Sequence, residues 1–123
     1  MVEKYIKQVS QKNKTSKEFK INAQIEEFDI ENIVLDLGSD VNVLPKRTWE
    51  LMGNPKLLWS PIHLRMDNHQ NIIPFGRLEL IFIDIEGVRS IATFEVIEIV
   101  DENNPYPALL GLDEPLKTCL WLI

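Results

Sequence analysis

A chain of 123 residues, 45% hydrophobic and 26% charged, is enough for one domain with a real core and no disulfides. Its net charge of −6 is unevenly spread, with +4 on residues 1–20 and −10 on residues 21–123, so the body repels phosphate backbones and any nucleic-acid contact is confined to a weak one through residues 1–20. The single cysteine, Cys119, excludes an internal disulfide framework and suits a reducing, cytoplasmic setting; no stretch reaches the ~18 apolar residues of a bilayer span, and the start lacks the apolar region of a signal peptide.

Residues 1–17 are polar, lysine-rich and without periodicity, and read as a flexible leader or linker; residues 18–123 make the domain. Phe19, Ile21, Ala23 and Ile25 alternate with polar residues at strand spacing. Short apolar strands are predicted at 33–35 and 41–44. Pro45 has the fixed φ of a first helical residue and Gly53 is a stop signal, so 45–52 is predicted as a two-turn helix. Residues 60–83 read as one long hairpin with a polar tip at Asp67, Asn68, His69 and Gln70. Glu86-Gly87 is a turn into the apolar run 89–100; 101–107 is a loop and 108–111 a buried strand ending in glycine. Residues 119–123 could be a final strand. Short strands with regular turns and one or two helices give a mainly β class, either barrel or sandwich.

One element carries chemistry. Asp36-Leu37-Gly38-Ser39 joins the apolar run Ile33-Val34-Leu35 to Val41-Asn42-Val43-Leu44. Strand, D-x-G-S turn and second strand present a carboxylate as an aspartic peptidase does. The chain has only one such element, and one carboxylate is half of a two-carboxylate site.

Four segments resemble the retropepsin family, closest to the peptidase segment of plant Ty3/gypsy-type retrotransposon polyproteins. They are VLDLGSDVNVLP (34–45), the helix at 45–53, LRMDNHQNIIPFG (64–76) and ALLGLD (108–113). The resemblance runs from about residue 19 to 113. It implies a retropepsin-like closed β-barrel, with a short helix after the active-site strand pair and a flap hairpin. It also implies a homodimer in which each chain contributes Asp36, with Leu37, Gly38 and Ser39 in the active-site loop and the Ser39 hydroxyl placed to bond the carboxylate. Met66, Asp67, Asn68, His69 and Gln70 would form the substrate-binding flap, and Leu110 and Gly111 the segment beneath the loop. The implied activity is cleavage of a peptide or polyprotein by water activation, with no metal, cofactor or membrane.

Two departures qualify the match. Leu37 stands where active members carry Thr or Ser, and leucine can neither donate nor accept the bond that ties the two loops across a dimer. After the Leu-Gly segment only residues 114–123 remain, with Pro115 near the expected helix start, so the C-terminal dimer strand is expected to be shortened. A catalytically inactive, peptide-binding retropepsin-like domain, or a retroelement remnant, therefore stays open beside the peptidase.

Blander readings suffice elsewhere. Asp40 and Asp113 lie in no second D-x-G turn. His63 and His69 have no ligand spacing, so no metal site is expected. Trp49, Trp59 and Trp121 suit core or interface packing, and Cys119 has no catalytic context.

Overall fold

The computed structural model describes residues 2–5, 19–36, 38–65, 71–98, 106–111, 115, 116 and 118. The 19–25 alternation forms β2 (Phe19–Ile25), which turns at Glu26 (φ 54°) into β3 (Phe28–Leu35). The two strands pair antiparallel, with a register shift between Ile21 and Ala23. At that irregularity the Asn32 amide (φ 62°) donates to Asn22 Oδ1 at 3.1 Å. β3 is longer than the predicted 33–35 because its first half faces partly to solvent and so carries little apolar signal.

β4 (Asn42–Pro45) leads into α1 (Lys46–Leu51). Pro45 closes the strand with ψ 145° and caps the helix from outside; it is not the first helical residue as predicted. α1 has no side-chain N-cap, and its anchors are tertiary. Trp49 Nε1 donates to Pro55 O at 2.8 Å, and Thr48 Oγ1 to Pro107 O at 2.7 Å. Gly53 ends the turn at φ 91°, as a residue without Cβ can.

The long 60–83 hairpin is not what forms. β5 (Ile62–Arg65) pairs only with the two-residue β6 (Asn71–Ile72), and β7 (Gly76–Ile85) belongs to another sheet with β8 (Val88–Ile97). Pro74 has no N–H to continue the ladder. At Gly76 a Cβ would lie 2.8 Å from that of Leu57, so the chain crosses there from one sheet to the other. Glu86 and Gly87, both at positive φ (52° and 86°), make the tight turn between β7 and β8, a geometry that matches strand twist.

Inside the segment read as a leader, β1 (Val2–Tyr5) is a strand, parallel to β5. The rest of the leader, the 66–70 tip and residues 119–123 lie outside the described residues. Trp49 is buried as expected, whereas Trp59 is 79% exposed and does not serve the core; Trp121 lies outside the described residues.

With β9 (Leu109–Leu110) the main sheet closes into a barrel in the order β2-β3-β9-β4-β8-β7, sealed by the pairs Gln24↔Asp84 and Ile25↔Ile83. β1, β5 and β6 form a second, three-stranded sheet. Ile33, Leu44, Phe94 and Leu110 fill the barrel. Their neighbours Val34, Val43 and Leu109 face the other way, against Ile62 and Leu64 of β5. The end of β3, together with β4 and β9, is thus covered on both faces, which is why Ile33-Val34, Val43-Leu44 and Leu109-Leu110 read as apolar runs without alternation. Among the described residues no helix is long and apolar enough to cross a membrane.

Phe94, fully buried inside the barrel, sets the scale of this core. Phe94→Ala is expected to cost about 3–5 kcal/mol in urea denaturation, while Leu51→Ala, on the exposed side of α1, stays within about 0.5 kcal/mol.

Candidate active site

β3 and β4 are consecutive yet do not pair. β9 lies between them, parallel to β3 (Val34↔Leu109, Leu35↔Leu110) and antiparallel to β4 (Val43↔Leu109). The 36–41 loop must therefore pass over the end of β9, and the chain leaves the sheet just after Asp36.

Asp36 continues the β3–β9 ladder by one bond, its amide donating to Leu110 O at 2.9 Å. The chain then folds back on the carboxylate. The Gly38 amide donates to Asp36 Oδ1 at 2.9 Å, and the Ser39 amide to Asp36 O at 3.2 Å. This side-chain-to-backbone turn holds one carboxylate oxygen, while the other, Oδ2, is withdrawn from solvent. Asp36 as a whole is half-buried and Gly38 is exposed, so the loop carries its acid at the molecular surface.

Ser39 does not bond the carboxylate as the resemblance implied. Its hydroxyl, on a residue only 2% exposed, donates to Val41 O at 2.9 Å and accepts the Val41 amide at 3.3 Å. The side chain is turned inward, and it staples the far limb of the loop.

Gly111 lies directly beneath. A Cβ on it would stand 2.4 Å from Val41 O and 2.7 Å from Ser39 O, both backbone atoms that cannot yield. Its amide donates to Asn42 Oδ1 at 2.9 Å, and Asn42 Nδ2 donates to Thr93 O at 3.0 Å. One buried amide side chain thus joins β4, β8 and the end of β9. Nothing in the composition singled out Asn42, although a polar residue inside the run Val41-Asn42-Val43-Leu44 is the signal that could have.

Tyr106 was also missed, inside a segment read only as a loop. It is 8% exposed and packs in the cluster of Val34, Val41 and Val43, the residues flanking the loop, with Ile62 and Leu64 of β5. Burial pushes its phenol up from 10.0 to about 12, and the Asp36 charge adds to the shift. Tyr106 therefore stays a neutral hydroxyl near the carboxylate.

Of the sequence-derived site residues, the structure brings together Asp36, Gly38, Ser39, Leu110 and Gly111. Leu37 and the flap residues Met66, Asp67, Asn68, His69 and Gln70 lie outside the described residues, as do Asp113 and Cys119. His63 is half-buried on β5, and Asp40 is exposed. Among the described residues no three His, Cys, Asp or Glu side chains are grouped to hold a metal ion.

No protein-family model matches the chain, and neither does any curated protein. Among solved structures it is similar to the retroviral protease-like domain of Ddi1 from Leishmania major, with a TM-score of 0.56 and 22% identity over 84% of this chain and 76% of that one. With the closed six-stranded barrel and its short helix, the fold is retropepsin-like.

Two outcomes test the local geometry. Gly111→Ala forces backbone apart under the loop and is expected to destabilise by about 3 kcal/mol in chemical denaturation. The Tyr106 phenol is neutral in both states below pH 10.0, whereas between 10.0 and about 12 only the unfolded chain ionises. Stability therefore falls across that window by up to about 3 kcal/mol, and Tyr106→Phe should remove this part of the fall.

Proposed function

We propose that this chain is an aspartic endopeptidase of retroelement type, a homodimer that cuts polyprotein peptide bonds with two Asp36 carboxylates, one from each copy. The observation that carries the proposal is the Asp36 loop: a half-buried carboxylate held by the Gly38 amide at the end of β3, on a retropepsin-like barrel. One such loop is half a site, and a second copy supplies an identical half with no further element. The resemblance of the 34–45, 64–76 and 108–113 segments to plant Ty3/gypsy peptidases supports a retroelement polyprotein as the substrate.

Two carboxylates brought together cannot both ionise, so the pair shares one proton and titrates as a unit. The ionised member takes a proton from a bound water, and the protonated one polarises the scissile carbonyl. Water attacks the carbonyl carbon, and the C–N bond breaks as the amine leaves with a proton. The flap that the resemblance assigns to 64–76 would close over an extended peptide held through its backbone. No metal or cofactor enters this scheme.

Leu37 favours a second reading, a non-catalytic peptide-binding domain, because leucine cannot make a polar link between two loops. Loss of a buried hydrogen-bonded pair in exchange for apolar packing can be near neutral, which is compatible with the peptidase.

Purified chain incubated with denatured whole-cell protein should yield new peptide termini best at mildly acidic pH, with the rate falling as both carboxyls ionise. Asp36→Asn should abolish every one of these cuts. Sedimentation from about micromolar to hundreds of micromolar should show a dimer. A strict monomer, or cleavage that survives in Asp36→Asn, rejects the peptidase and leaves the binding domain.

A further inference from the structure

Glu95 lies in the fully buried last stretch of β8, between Phe94 and Val96, and is 2% exposed. A carboxylate withdrawn this far from water is costly unless it is fully held. Both its oxygens are held. Oε2 accepts from Arg77 Nε at 2.8 Å, and Oε1 accepts from the Ser60 hydroxyl at 2.6 Å. Ser60, itself buried, also accepts the Ile62 amide at 3.3 Å. Phe94 and Val96 face the barrel interior, so Glu95 points to the opposite face of β8, and its network is explained by what it connects.

It connects the loop strand to the β5–β6 arm. Glu95 pairs through its backbone with Val43 of β4, the strand leaving the Asp36 loop, and with Arg77 of β7. Arg77 in turn holds the approach to the arm. Its amide and carbonyl exchange bonds with those of Leu58 at 2.9 and 2.8 Å. Residues 58–60 are thus pinned to the barrel at two points, by backbone at Leu58 and by side chain at Ser60. Beyond Ile62 the chain leaves as β5, whose Ile62 and Leu64 pack on Val34, Val41 and Val43 around the loop.

We infer that Glu95 is a positioning residue. Its carboxylate, clamped by Arg77, fixes Ser60 and so sets the point from which β5 leaves the barrel to pack beside the Asp36 loop. The inference rests on the peptidase reading for its kinetic consequence, but its mechanical content does not need it. A loosened root makes the arm sample more positions, so a peptide must order it on binding. Binding weakens while the chemistry at Asp36 is unchanged.

Ser60→Ala cuts this link and spares the buried ion pair. By amide hydrogen exchange of the full chain, residues 62–65 and 71–72 should exchange about tenfold faster, and residues 94–97 should stay within about twofold. With the best-cleaved peptide from the denatured-protein digest, KM should rise about tenfold and kcat stay within about twofold. Ser60→Thr, which keeps the hydroxyl, should restore both. Glu95→Gln should move the same arm amides in the same direction. Arm exchange unchanged in Ser60→Ala, or an equal rise throughout the barrel, overturns the inference, as does a fall in kcat at constant KM. If the unaltered chain shows no Asp36-dependent cleavage, the peptidase reading fails, and the exchange pattern alone decides the role of Glu95.

Discussion

Gly111 brings its backbone so close beneath the 36–41 loop that a single added carbon would stand 2.4 Å from Val41 O. That approach is what allows β9 to lie between β3 and β4. It is secured by the bond from the Gly111 amide to Asn42 Oδ1, and by the Asp36 amide on Leu110 O. The loop cannot sink toward the sheet because β9 fills the space below it, and it cannot lift because Ser39 and Asn42 hold its second limb. Asp36 is left at the crest, with one carboxylate oxygen taken by Gly38.

The same insertion explains the two clusters of buried side chains. Where three adjacent strands are covered on both faces, neighbouring residues are both apolar, one for the barrel and one for the arm. Ile33 and Val34, Val43 and Leu44, Leu109 and Leu110 are such pairs, each split between the two clusters. The arm therefore rests on the residues that flank the acid. Tyr106 sits in that contact, close enough to Asp36 to feel its charge, and burial keeps its phenol neutral.

Where sequence reading departed from the structure, long-range pairing was the main cause. The stretch of residues 72–83 is apolar and β-branched on both sides of Pro74 and Gly76, which mark a break but not that its two ends serve different sheets. The switch follows from the contact of Gly76 with Leu57, a residue nineteen positions earlier. Pro45 satisfies helix-start rules, but its place in β4, paired with Ile97 of β8, holds it extended. Ser39 has a hydroxyl three residues from a carboxylate, but that hydroxyl turns instead to the backbone of Val41, two residues on.

By itself the sequence determined the mainly β class, the D-x-G-S turn between apolar strands, the glycine stop after the short helix and the Glu86-Gly87 turn. These depend on residues close together in the chain, whose steric and periodic preferences act locally. The resemblance of the four segments pointed further, to the retropepsin-like barrel that the fold shows. Only the tertiary structure decided that Asn42 and Tyr106 belong to the surroundings of the Asp36 loop, and that Glu95 and Ser60 hold each other at the root of β5. Each meets its partners across strands far apart in sequence, as Ser60 meets Glu95 thirty-five residues away. A polar residue in an apolar run announces that it must be satisfied, but its partner is fixed only when the barrel closes.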